Sequence, residues 1–169
     1  MPDQKKLDAM FLNVAKEVSS LSKCVRAKVG ALLVKDKNII SFGYNGTPVG
    51  TCNDCETKMY VSSDSGAWLD QELITSTWPY EDGKGRYKLV TKDEVIHAES
   101  NAILKAAKMG VSTQGTTMYC TLSPCKDCSK LILQAGVERV VYLELFSRDN
   151  GSVEFLNQFI SVEKYEQGI

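Results

Sequence analysis

With 169 residues, 20 Lys plus Arg against 21 Asp plus Glu and a formal net charge of −1, the chain has the length for one domain with a substantial core. It lacks the basic excess that a nucleic-acid backbone binder needs. No apolar run reaches membrane-spanning length, and the opening Met1-Pro2-Asp3-Gln4-Lys5-Lys6 carries no signal-peptide core, so the chain reads as a cytoplasmic protein away from membranes.

In chain order, residues 6–23 read as an amphipathic helix, with Leu7, Met10, Phe11, Val14, Val18 and Leu21 at helical spacing. Lys28 to Lys35, with Val-Gly-Ala-Leu-Leu-Val, reads as a buried strand. The Asp36-Lys37-Asn38 turn leads into a second strand, Ile39 to Tyr44. Asn45-Gly46-Thr47-Pro48-Val49-Gly50 is a glycine-rich loop at a strand end, where ligand-binding residues collect. From about 51 to 94 the periodicity blurs. This insertion holds Cys52, Cys55, Trp68 and Trp78, and Asp82-Gly83-Lys84-Gly85 reads as a hairpin turn between short strands. A connection of this length in a compact domain points to a lid or a subunit contact.

A helix from His97 to Lys108, closed by Gly110, comes next, then a strand over Thr116 to Thr121. Ser123 reads as the N-cap and Pro124 as the first position of a helix that ends at Ala135-Gly136. Val137 to Leu143 is a strand, followed by Phe146, a short helix near Ser152 to Phe159 and a weak strand over Ser161 to Tyr165. Strands alternating with helices imply a mixed sheet covered on both faces within a single domain, 1–169.

Chemistry concentrates in two motifs. His97-Ala98-Glu99 puts a histidine two residues before a carboxylate, and Pro124-Cys125-Lys126-Asp127-Cys128 supplies two thiols one helical turn apart. A catalytic zinc takes three protein ligands and leaves one position open, which His97, Cys125 and Cys128 would satisfy. Helix starts favour negative charge and so help to ionise both thiols. Glu99 would stay off the metal and move protons. His97 is the only histidine, so no second histidine-based site exists. Taken alone, Cys-x-x-Cys is equally a redox pair or half of a structural site; the two motifs in this order form the signature of zinc-dependent nucleobase deaminases.

On these residues the chain resembles the cytidine deaminase superfamily and, within it, the phage-type deoxycytidylate deaminases. The likeness is carried by Cys24-Val25-Arg26 before Val29-Gly30-Ala31, by Gly43-Tyr44-Asn45-Gly46-Thr47-Pro48-Val49-Gly50, by His97-Ala98-Glu99-Ser100-Asn101-Ala102-Ile103 and by Thr121-Leu122-Ser123-Pro124-Cys125. It implies an α/β fold, a three-layer α/β/α sandwich around a mixed five-stranded sheet. It implies hydrolysis of dCMP to dUMP and ammonia, supplying dUMP for thymidylate synthesis, with water activated by zinc adding at C4 while Glu99 protonates N3 and then the leaving ammonia. By the same comparison Asn45 would bind the deoxyribose, the Ala98 N–H the base O2, Ser123 the base edge and Phe146 the base face, with Arg26 taking the 5′-phosphate. Asn45 in a plain turn, Phe146 in the core and Arg26 as a solvated charge are the alternatives.

The resemblance further implies a homo-oligomer, often a hexamer. It also implies nucleoside triphosphate effectors at the Gly46–Gly50 loop, dCTP activating and dTTP with Mg2+ inhibiting. Some phage-type members carry a second, structural zinc; here Cys24, Cys52 and Cys55, with a carboxylate such as Glu94, stand near the matching places but lack the histidine. Without that site the six cysteines read as reduced thiols. Competing functions are a deaminase of dCTP or another small cytosine compound, a polynucleotide-editing deaminase, which the charge balance opposes, and a non-catalytic zinc module, which would not need Glu99.

Overall fold

A computed structural model describes residues 3–60, 80–146 and 151–166. Asp3 caps the first helix, α1 (Gln4–Ser19), by accepting a hydrogen bond from the Lys5 N–H. The helix stops short of the expected Lys23. The Ser19 and Ser20 hydroxyls donate to the Lys16 and Glu17 carbonyls, which satisfies last-turn acceptors and ends the element in a turn. Consequently Leu21 lies outside the helix and exposed; Met10, within the helix, is exposed on its outer side, whereas Asp8, Phe11, Leu12 and Ala15 form the buried stripe.

β1 (Gly30–Lys35) and β2 (Asn38–Tyr44) form an antiparallel hairpin through Asp36 and Lys37, whose φ values of 49° and 64° give the left-handed turn that matches strand twist. β3 (Glu56–Tyr60), β4 (Tyr80–Asp82) and β5 (Gly85–Thr91) build a separate three-stranded sheet in the order β3-β5-β4, with the expected turn between β4 and β5. The two tryptophans of the insertion, Trp68 and Trp78, lie outside the described residues. α2 (Ala98–Lys108), β6 (Thr116–Leu122), α3 (Lys126–Gln134), β7 (Val137–Glu144), α4 (Ser152–Leu156) and β8 (Ser161–Lys164) complete the chain.

The main sheet runs β2-β1-β6-β7-β8, with β1 antiparallel to both neighbours and β6, β7 and β8 parallel. Alternation along the strands divides its two faces. Leu32, Val34, Tyr119 and Val141 pack on Phe11, Leu12 and Ala15 of α1. Ala31, Leu33, Met118, Cys120, Val140 and Tyr142 pack on α2, α3 and α4 through Ala98, Ala102, Ala106, Cys128, Ile132 and Leu156. This is the expected α/β/α sandwich around a mixed five-stranded sheet.

One close approach sets the position of α2. Gly43 on β2 leaves no room for a side chain: a Cβ there would collide with the Ala98 carbonyl and the Ala102 N–H. The first turn of α2 therefore lies directly on the sheet edge, with Ala98 and Glu99 buried.

Candidate metal centre and active site

The ends of β2, β6 and β7 and the start of β1 meet at one end of the sheet, since Gly30 pairs with Tyr44, Ala31 with Cys120 and Leu122 with Glu144. α2 and α3 begin beside this end. His97 and Cys125 are their N-caps, both extended, with ψ of 157° and 171°, and neither side chain caps its own helix. Both side chains turn instead to a common point. The α3 helix thus starts two residues later than the sequence suggested. Ser123 is not its cap, because its hydroxyl is held at 2.9 Å by the Phe146 N–H.

His97 Nδ1 lies 3.4 Å from Cys125 Sγ and 3.4 Å from Cys128 Sγ. All three potential ligand atoms fall within 4.8 Å of one another, and among the described residues no other group of three or more His, Cys, Asp or Glu side chains converges in this way. With Zn–S near 2.3 Å and Zn–N near 2.0–2.1 Å, tetrahedral coordination needs about 3.6 Å between nitrogen and sulfur. The triad fits zinc in donor type and in spacing. The Cys128 hydrogen bond, and then His97, draw the Cys125 thiol down to about 4, while the same bond and burial push Cys128 up.

Glu99 is 4% exposed, and burial raises its carboxyl above the usual range. A carboxyl raised in this way is suited to accept a proton and return it. Beneath it lies Cys120, fully buried, whose thiol is pushed well up by burial and by the Glu99 charge; it is a neutral part of the floor.

Around this centre the structure adds contacts that the sequence did not announce. The Ser100 Oγ lies 3.5 Å from Cys128 Sγ, the Asn101 amide donates to the Tyr44 carbonyl at 2.8 Å, and the buried Ser152 hydroxyl donates to the Pro124 carbonyl at 2.9 Å. Ser100 and Asn101 were visible inside the His97 motif; nothing local to Ser152 marks it. Gly46 and Ile96 exchange two backbone hydrogen bonds of 3.1 and 2.9 Å, which tie the loop after β2 to the residue before His97.

The residues expected around the substrate fall on the same end of the sheet. Asn45 accepts from the Val29 N–H through Oδ1 and donates from Nδ2 to the Ala27 carbonyl, each at 2.8 Å, so it braces the segment that carries Arg26. The Arg26 Nη1 donates to Thr91 Oγ1 at 2.9 Å. Ala98 opens α2, where N–H groups have no helical partner. Ser123 and Phe146 are joined to each other just ahead of Cys125.

The expected second metal set does not assemble. Cys24 and Cys55 are joined as a disulfide, contrary to the expectation of reduced thiols, and Cys52 is exposed with its Sγ 2.9 Å from Asp54 Oδ2. With two sulfurs bonded to each other and the third turned elsewhere, no three thiolates meet. In the loop expected to bind effectors, the Gly46 N–H is already spent on Ile96, whereas Gly50 has φ of 91° and open space around it.

Comparisons with known proteins agree with this geometry. Residues 5–144 match the family described as the cytidine and deoxycytidylate deaminase zinc-binding region. The deoxycytidylate deaminase of Enterobacteria phage T4 is 39% identical over 155 residues, spanning 82% of this chain and 78% of that protein. That of Mycobacterium phage D29 is 36% identical over 137 residues, covering 80% and 92%. Among solved structures, the dCMP deaminase of cyanophage S-TIM5, in complex with dCMP and dUMP, superimposes with a TM-score of 0.71 at 35% identity over 94% of this chain and 96% of that one. The match of the zinc-binding region, together with a His97/Cys125/Cys128 triad of the right spacing, establishes that this chain belongs to the cytidine and deoxycytidylate deaminase family.

Proposed function

We propose that this protein is a hydrolase that deaminates dCMP, taking up one water and releasing dUMP and ammonia. The observation that carries the reading is the buried Glu99 carboxylate, set beside the His97/Cys125/Cys128 triad and not needed as a ligand. Zinc, when bound by the three ligands, supplies the Lewis acidity that makes water nucleophilic near neutral pH. Glu99 accepts one proton of that water and delivers it to N3 as C4 is attacked, then takes the second proton from the new C4 hydroxyl and passes it to the departing amine as the C4–N bond breaks and the carbonyl forms. The Ala98 N–H orients the base through O2, Ser123 and Phe146 line the base edge and face, Asn45 meets the sugar, and Arg26 takes the 5′-phosphate.

A second reading keeps the chemistry and changes the ligand: dCTP or another small cytosine compound in place of dCMP. Incubating the zinc-loaded protein with dCMP, dCTP, cytidine and a cytosine oligonucleotide, and measuring ammonia, separates these. Fastest release from dCMP is expected; faster release from any of the others replaces the assignment. The protein works as a homo-oligomer, with a hexamer favoured, regulated at the 46–50 loop by dCTP as activator and by dTTP with Mg2+ as inhibitor. The support for regulation is Gly50, whose positive φ and open surroundings let backbone amides approach a phosphate.

A further inference from the structure

The segment between α1 and β1, residues 22–29, has no regular structure, so its backbone groups must find partners elsewhere. They find side chains. The Cys24 N–H donates to Ser22 Oγ at 3.2 Å, and Asn45 holds Ala27 and Val29. Two consecutive N–H groups, those of Val25 and Arg26, both donate to one oxygen of Glu56, at 3.0 and 3.1 Å. Glu56 belongs to the inserted sheet.

On that sheet Glu56 is the register partner of Thr91, the first residue of β3 opposite the last residue of β5. Directly opposed residues project to the same face. Here both side chains end on Arg26, Glu56 on its backbone N–H and Thr91 on its guanidinium Nη1, at 2.9 Å. The Cys24–Cys55 bridge is a further link between the strand pair and the segment, and the Lys92 N–H to Cys55 carbonyl bond of 2.9 Å continues the β3–β5 pairing one residue past Glu56 and Thr91.

We propose that Glu56 and Thr91 are positioning residues for the phosphate end of the substrate, acting through Arg26. The role rests on the reading of Arg26 as the phosphate ligand. A guanidinium on a long, flexible stem gains affinity for a phosphate when its direction is set beforehand, because less rotamer freedom is lost on binding. Glu56 fixes where the stem starts and Thr91 where its end lies. The carboxylate of Glu56 is occupied by two backbone donors, so its charge is turned to the main chain. The insertion therefore serves as the wall that aims the arginine, and discrimination between a nucleotide and a nucleoside depends on it.

The test uses the zinc-loaded enzyme and compares kcat/KM for dCMP with kcat/KM for deoxycytidine, which differ only in the phosphate. Glu56→Ala and Thr91→Val should each lower the dCMP-to-deoxycytidine ratio by about five- to fifty-fold, through KM for dCMP, with zinc content unchanged. Glu56→Gln should recover most of the ratio, since its amide oxygen still accepts both N–H groups. Thr91→Val preserves shape and carries the test alone should Glu56→Ala fail to fold. Arg26→Ala is run alongside as the reference. If Arg26→Ala collapses the ratio while Thr91→Val and Glu56→Ala leave it intact, or lower both substrates equally, the positioning role is overturned and the phosphate reading stands. If Arg26→Ala itself leaves the ratio intact, the phosphate reading falls and takes the positioning role with it.

Discussion

The Arg139 guanidinium grips the Asp8 carboxylate with two hydrogen bonds, Nη1 to Oδ1 at 2.9 Å and Nη2 to Oδ2 at 2.8 Å. Asp8 is 5% exposed on α1, Tyr119 donates to the same carboxylate at 2.7 Å, and Arg139 also binds Glu163 on β8. Burial pushes Asp8 up, but the bonds from Arg139, Tyr119 and Gln4 outweigh it and hold the carboxyl below its ordinary 3.8. A group held down in the folded state binds fewer protons there than in the unfolded chain. Its stabilisation is therefore complete above about pH 4 and fades as the pH falls further. Asp8→Asn should cost about 2–4 kcal/mol at pH 7, measured by denaturant unfolding, and the deficit should shrink toward pH 3. A deficit that stays constant across that range would show that the charge is not what matters.

Glu99→Gln should reduce dCMP turnover by about 10²- to 10⁴-fold while zinc stoichiometry is kept, because the carboxylate moves protons and is absent from the ligand triad. Metal analysis beside the rate decides this: a variant that loses zinc would make Glu99 a ligand.

Cys128→Ser should remove zinc and lower thermal stability, since binding to the folded state alone stabilises it. Chelating the metal from the unmutated protein should lower Tm by roughly 10 °C when the starting free zinc is about a thousand times Kd. An unchanged Tm after complete removal would mean that the triad is formed without need of metal.

Gly43→Ala places a methyl group against the Ala98 carbonyl and the Ala102 N–H, where only backbone could yield. The expected cost is about 1–3 kcal/mol of stability, together with a fall in kcat as the first turn of α2 shifts. Calorimetry and steady-state kinetics on the variant would disagree with this packing account if neither changed.

Rate against dCMP should be sigmoidal without effector, depressed by dTTP with Mg2+ and restored by dCTP. Gly50→Val, at φ of 91°, should blunt both responses without changing zinc content. Hyperbolic kinetics indifferent to both triphosphates would reduce the loop to a turn.

The metal triad was legible because its parts are local. His97 and Glu99, or Cys125 and Cys128, need only a helix start to face the same way, and a short motif contains that information. The Asp36-Lys37 turn was legible for the same reason. What escaped reading depends on contacts distant in the chain. Ser123 has the residue type of a helix cap, yet a backbone N–H 23 residues away claims its hydroxyl. Glu56 and Thr91 meet only through strand register, and the pattern of the insertion gave no hint of which residues would be opposed. Cys24 and Cys55, separated by 31 residues, were read as possible metal ligands because their type is ambiguous, and their pairing is a tertiary fact. Met10 and Leu21 fit the helical period, but among the described residues both are exposed.

His97, Glu99, Cys125 and Cys128 all sit on the continuous run α2–β6–α3, whereas Arg26, Asn45 and Phe146 come from segments on either side of it. The metal-ligand triad and Glu99 thus share one continuous stretch, which also holds Ala98 and Ser123, while Arg26, Asn45 and Phe146 join it from outside. The inserted sheet β3-β5-β4 likewise enters between β2 and α2, before this stretch begins, so the chain gains a second sheet without interrupting the run that brings His97, Cys125 and Cys128 together.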